Sequence, residues 1–514
     1  MAAALCLLTA MGVCAELAAD NDMNAGADSS IESAFDGLEE LLLARGAESE
    51  RGSAFATFGG LQLSGELPAR WYAGDSGRRP TQKYQGNYGT CWALTAVSAL
   101  EAAVLPGQRA AFSADHMANR NAYTVDVDAG GSYQMVMAYL SGWQGPVTEA
   151  EDPYGDGFSP EGLEAAVHVQ EMQLLDGCST DEIKQAVREY GAVQTSLYMS
   201  RELTRPDSPY YNEGTYAYCY PREQTQNHDV LILGWDDLFS RFRFRSIPEC
   251  DGAFICMNWW SGFGDDSIFY VSYGDANIAR TGLVCSRVEA ADNYDRLYQA
   301  DDCGWMGSLG YGSRECWFAN VYTAAAADEA ASDTDGRSAN AGTSGSGSTA
   351  AADETAASTG GKSANAGMST SGSGAAPSSE TKTEAVESLS AVGFYATAPG
   401  GTYDVYLVHD FSDASSFTSM EHLATAETER SGYYTVDLEK PEQLSSGERF
   451  AVIVKMTVSK GRAAAAVEFA GSPDAADVTL EGKEGYLSRK GHVWENTEEA
   501  YRSNVCLKAY TTYH

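Results

Sequence analysis

Two hydrophobic patterns divide this chain. From Cys91 to Val104 apolar and small residues follow one another almost without a break, and the run stops at Pro106-Gly107. A run of that length, ended by proline and glycine, predicts a buried helix. Asp229-Val-Leu-Ile-Leu-Gly-Trp235 and Ala253-Phe-Ile-Cys-Met257 are short continuous apolar runs, and these predict buried strands. His116 and His168 fall in segments with a helix-like pattern. Past residue 385 the period becomes two, in Leu389–Tyr395, Tyr403–His409, Tyr433–Leu438, Phe450–Lys455, Ala465–Phe469 and Val505–Tyr510. Gly, Ser, Asp and Pro punctuate these segments, which predicts a small antiparallel β-sandwich.

Between the two patterns lies a tract of Ala, Ser, Thr, Gly and Asp, from 323 to 384. Ala-Ala-Ala-Asp-Glu recurs in it at 325 and 350, and Ser-Ala-Asn-Ala-Gly at 338 and 363. A repeat of this length raises the question of a solenoid, but there is almost nothing apolar to stack. Such a segment cannot offset its ordering entropy and is expected to be a flexible insert. Residues 16–66 are acidic and Ala-rich, with one weakly amphipathic stretch at Ile31–Leu43.

The first fifteen residues form a short apolar run ending Val13-Cys14-Ala15, the pattern of the end of a secretory signal, which points to an exported protein. No segment has enough consecutive apolar residues to predict a transmembrane helix. With 34 basic against 72 acidic residues the net charge is −38, which makes nucleic acid a poor partner. Eleven cysteines are scattered without paired metal-ligand spacing, so no metal site or cofactor is expected. Whether the thiols are buried or bridged is left open by the spacing. Asp126 and Asp128 lack the later ligands of a calcium loop.

Candidate chemistry centres on Gln85-Gly-Asn-Tyr-Gly-Thr-Cys91-Trp92. The cysteine would stand at the start of the predicted helix, where unpaired N–H groups and the helix dipole favour thiolate. The nearby glycines let a substrate carbonyl approach. Among seven histidines, His228 is distinguished by opening a continuous apolar strand. Asn258 ends the next such strand and can hold the imidazole tautomer, with Trp260 shielding that bond from water.

Gln85, Gly89-Thr-Cys-Trp92, Asn227-His228 and Asn258-Trp-Trp260 together resemble papain-family (C1) cysteine peptidases. His228 and Asn258 stand 137 and 167 residues after Cys91, and the family signature places its histidine and asparagine about 130–150 residues downstream. The resemblance implies Cys91 as nucleophile, His228 as its ion-pair partner and proton donor, and Asn258 as the orienting residue. It also implies Gln85 with the Cys91 N–H as oxyanion hole, and Gly130-Gly131 as a pair that binds the substrate backbone. Thr90 stands where Ser or Ala is usual, and Trp259 where Ser is usual. Gly310-Tyr-Gly-Ser, Trp317-Phe-Ala-Asn-Val and Asn504-Val-Cys-Leu-Lys-Ala-Tyr510 resemble the lectin-like β-domain found behind such peptidases in bacterial surface proteins.

The expected fold is therefore α+β, a two-lobed papain-like domain followed by an all-β sandwich. Its expected divisions are a signal peptide at 1–15, a pro-region at 16–66, the peptidase at 67–290 and the lectin-like domain at 291–514, with the 323–384 insert inside it. The expected function is secreted cysteine endopeptidase. Two further functions share the sequence features: a cell-wall peptide hydrolase or transpeptidase, and a surface adhesion protein with a vestigial peptidase. Expected partners are protein or peptide substrates, and glycans or cell-surface components through the C-terminal domain.

Overall fold

The computed structural model describes residues 54–57, 66–326, 339–340, 386–475, 477–480, 482 and 484–514. The signal-like run at 1–15, the stretch Ile31–Leu43 and most of the 323–384 tract lie outside these. The Ala-rich run folds as α1 (Cys91–Val104), buried on every side from Trp92 to Ala102. That all-round burial is what an uninterrupted apolar pattern requires. Its one buried carboxylate, Glu101, is fully engaged. Oε2 accepts the Thr81 N–H at 2.8 Å, Oε1 accepts the Phe112 N–H at 3.0 Å, and the Lys83 ammonium pairs with Oε1. Two shorter helices pack against α1, α2 (Ala114–Arg120) and α3 (Tyr133–Ser141). Ser113 and Ser132 cap them, each accepting from a first-turn N–H.

The second lobe is an antiparallel sheet built from β1 (Val167–Asp176), β2 (Val193–Leu197), β3 (His228–Asp236), β4 (Ala253–Met257), β5 (Ile268–Ser272) and β6 (Thr281–Ala290). Its order is β1-β6-β2-β3-β4-β5. Helix α4 (Thr180–Tyr190), started by a Ser179–Glu182 capping box, packs on this sheet. His168 lies on β1 rather than in a helix. The helix-like reading fails there because Val167-His-Val-Gln170 and Glu171-Met-Gln-Leu174 alternate with period two, and the strand is paired by β6 along one edge and by β11 at Glu171–Gln173 on the other.

The C-terminal half is the expected sandwich. One layer runs β7 (Glu315–Thr323), β12, β9, β10; the other runs β13, β8, β11. Here β8 is Glu387–Ala396, β9 Gly401–Val408, β10 Glu421–Thr428, β11 Gly432–Leu444, β12 Arg449–Val458 and β13 Leu507–Tyr513. Phe318, Phe394, Tyr403, Tyr434, Val454 and Leu507 fill the space between them. The sandwich aromatics are thus mainly core. All nine described cysteines are free thiols, and no helix among the described residues is long and apolar enough to cross a membrane.

The two halves share one sheet. Strand β11 pairs with β1 through Gly432↔Gln173, Tyr433↔Met172 and Tyr434↔Glu171. Gly432 has φ +150°, and a Cβ there would stand 2.0 Å from the Met172 carbonyl oxygen, so only glycine lets the strands meet. Arg287–Asp437 at 2.9 Å, Arg430–Glu182 at 3.0 Å and Tyr123 Oη donating to the Cys303 carbonyl at 2.7 Å flank the junction.

Removing the Glu101 carboxylate strands the Lys83 charge and two N–H groups inside the helical lobe. The Glu101→Ala variant is expected to lose about 3–5 kcal/mol, read as a lower urea midpoint. An unchanged midpoint would show that water reaches Lys83.

Candidate active site

Cys91 opens α1, and the segment before it is tied down residue by residue. Gln85 N donates to the Trp259 carbonyl at 2.8 Å, and the Tyr154 hydroxyl donates to the Gln85 carbonyl at 2.9 Å. Gly89 N donates to Asp128 Oδ1 at 3.0 Å, while Asp126 caps the turn that carries Asp128. The two aspartates therefore serve the backbone, and among the described residues no group of three His, Cys, Asp or Glu side chains could hold a metal ion. Thr90, at the N-cap, makes no side-chain cap. The first-turn N–H groups are thus not taken up by a cap, and the backbone N–H groups of Cys91, Trp92 and Asp229 all favour the charged form of the sulfur.

Cys91 is thereby set against the start of β3, where His228 is 5% exposed. His228 Nε2 lies 2.7 Å from Asn258 Oδ1, just past the end of β4. An amide oxygen only accepts, so Nε2 carries the proton and Nδ1 is the ring nitrogen left to accept one. The Trp259 N–H also donates to Oδ1, at 2.8 Å, which holds the amide in place. Trp260 stacks on the imidazole with centroids 4.7 Å apart, and the Arg201 guanidinium stands 5.2 Å from the Trp260 ring. Trp259, in the place expected for serine, is fully buried and donates from Nε1 to Thr95 Oγ1 at 2.8 Å. Thr95 in turn donates to the Cys91 carbonyl at 2.7 Å. The substitution thus links the asparagine strand to the helix that bears the cysteine.

Burial opposes charge on both partners. It pushes the Cys91 thiol up to about 12, with the negative charge of Asp229 adding to the effect and the three N–H groups pulling the other way. It pushes His228 down to about 4, against the bond from Asn258 and with the Arg201 charge. Burial thus works against the thiolate that the helix terminus favours. Desolvation outweighs one helix end here. Cys91 keeps an opening to solvent, through which a polar substrate can relieve that penalty.

Gln85 Nε2 donates to the Tyr88 carbonyl at 2.5 Å, so one of its two hydrogens remains for a ligand; Oε1 is buried without a partner. Gly130 and Gly131 lie beside the start of α1. A Cβ at Gly131 would stand 2.3 Å from the Trp92 ring, so the backbone passes closer than any side chain allows. The structure brings Gln85, Cys91, His228, Asn258, Trp260 and the glycine pair into one neighbourhood. The sequence reading did not single out Thr95, Tyr133, Gln194 or Asp229. Only Asp229 left a signal, an acidic residue at the second position of an otherwise apolar strand.

Known proteins resemble both halves of the chain. The papain family cysteine protease profile matches residues 68–283, and the lectin like domain profile matches 297–345 and 354–511. The chain consists of a papain-family cysteine protease domain joined to a lectin-like domain. Cathepsin S of Bos taurus is 28% identical over 204 residues, 38% of this chain and 57% of that protein. Cathepsin S of Mus musculus is 24% identical over 223 residues, 40% of this chain and 59% of that protein. The chain thus spans less than two thirds of either relative. The cysteine protease and lectin-like domains of Cwp84, a surface layer associated protein of Clostridium difficile, share the fold with a TM-score of 0.65 at 19% identity. That likeness covers 95% of this chain and 97% of the other. The clostridial cysteine protease Cwp84 after propeptide cleavage gives 0.66 at 20% identity, over 86% and 99%.

With His228 replaced by alanine, Cys91 has no base and burial alone governs it. Its alkylation rate is expected to climb about tenfold per pH unit from neutrality toward the raised thiol value. A plateau below about pH 9 in that variant would show that the helix terminus ionises the thiol unaided.

Proposed function

We propose that this protein is a secreted or cell-surface cysteine endopeptidase that cleaves peptide bonds through an acyl-enzyme on Cys91. The observation that carries this function is the His228–Asn258 bond, roofed by Trp260 and facing a cysteine at a helix N-terminus. As substrate enters, the Cys91 proton passes to His228 Nδ1 and the sulfur attacks the scissile carbonyl carbon. The Cys91 N–H and the second Gln85 Nε2 hydrogen receive the developing oxyanion. The imidazolium then protonates the leaving amine, and water, deprotonated by the same nitrogen, releases the acid. Asn258 holds the ring through both transfers, and the backbone of Gly130-Gly131 pairs with the peptide. No cofactor takes part.

The domain division follows the sequence boundaries, with 67–290 catalytic and 291–514 lectin-like, interrupted at 323–384. Export is supported by the signal-like run at 1–15. A cell-surface location is also supported by likeness to a surface layer associated protein.

Two measurements check this function. An epoxide thiol probe at about pH 5.5 is expected to label the protein stoichiometrically and the Cys91→Ala variant not at all; absence of labelling in folded protein would point to a vestigial peptidase. On a glycan array, the intact chain is expected to retain cell-surface sugars through residues 291–514. Retention of none would leave that domain as a spacer.

A further inference from the structure

We propose that Asp229 makes the subsite beside Cys91 selective for a cationic side chain of the substrate, and that docking of this cation helps the nucleophile ionise. This rests on the peptidase function proposed above. Asp229 follows His228 on β3 and sits opposite Ser196 on β2. Its Oδ1 accepts from Ser196 Oγ at 2.6 Å and its Oδ2 from Gln194 Nε2 at 3.0 Å. Ser196 Oγ also lies 3.0 Å from the hydroxyl of Tyr133, the second residue after the glycine pair. The carboxylate therefore lies between the seat of the nucleophile and the loop proposed to hold the peptide backbone. Cys91, Gly130, Tyr133, Ser196 and Asp229 all remain partly open to solvent.

Among the described residues this carboxylate is held by a hydroxyl and an amide, with no cation beside it. An ionised carboxylate without a counter-charge is costly in a desolvated position, and burial accordingly raises the Asp229 pKa. Gln194 Oε1, on the amide that serves Asp229, is buried and has no partner. A guanidinium or ammonium group has only donors, and it would supply the missing charge to Asp229 and a donor to this oxygen. A neutral side chain could at most donate to the oxygen and would leave the carboxylate without a counter-charge.

The same charge acts on the nucleophile. The Gln194 amide that donates to Asp229 also donates to the Trp92 carbonyl in the first turn of the Cys91 helix, at 3.3 Å, and a carboxylate placed there opposes ionisation of the thiol. A substrate cation bound to Asp229 cancels that opposition at the moment the scissile bond arrives. A wrong side chain leaves it in force.

The test uses peptidyl epoxides that differ at one residue, carrying arginine, its neutral isostere citrulline, or leucine at each position in turn. At one position arginine is expected to inactivate the intact protein about tenfold faster than citrulline, and Asp229→Asn is expected to bring the two within about twofold. The same variant is expected to react about threefold faster with uncharged iodoacetamide near neutral pH, because the opposing charge has gone. A merely structural Asp229 would not produce these opposite changes. Equal rates for arginine and citrulline at every position would overturn the proposal, and that comparison needs no variant. So would an arginine preference that survives Asp229→Asn, or slower alkylation of the variant. Failure of every epoxide to label the intact protein would instead overturn the peptidase function itself.

Discussion

The site depends on the placement of one helix. Helix α1 is buried from its second residue onward, so it has a single rotational setting, fixed by apolar contact on all sides and by the engagement of Glu101 with Lys83 and two backbone N–H groups. Cys91 inherits that setting. Its sulfur meets the β3 backbone at Asp229 because the rest of the helix has nowhere else to go. The remaining site groups are then tied to the same helix. Trp259 reaches it through Thr95, and Gln85 reaches it through the Trp259 carbonyl. Catalytic geometry is held here by second-layer bonds to a rigid element, not by the reacting groups themselves.

The electrostatics qualify the familiar picture of an activated cysteine. A helix N-terminus contributes a fraction of a charge, whereas removing sulfur and imidazole from water affects each group in full. Burial raises the thiol and lowers the imidazole, and the helix-terminal N–H groups and the Asn258 bond act against that opposition.

What the sequence disclosed was local. The Cys91 helix, the strands that begin at His228 and end before Asn258, and most of the sandwich strands each carry their pattern within a dozen residues, so periodicity found them. Glu421–Thr428 was missed, being rich in polar and small residues. His168 was misplaced because the alternation of its strand shifts phase between Gln170 and Glu171. In the sequence Trp259 showed only as a departure from the usual serine. It became intelligible only when Thr95, more than a hundred residues away, was seen to accept its N–H. The burial that opposes charge on Cys91 was equally out of reach, because desolvation is a property of the assembled lobes and not of a motif.

The junction at Gly432 has a consequence for how this chain can be taken apart. Because β11 pairs with β1 at Glu171–Gln173, cutting the chain near residue 290 would leave that stretch of β1 as a buried strand edge without its partner. Edges of that kind recruit strands from neighbouring molecules. The C-terminal half is thus an integral wall of its companion rather than an appendage. The two are better regarded as one unit of inheritance, to be moved between proteins together.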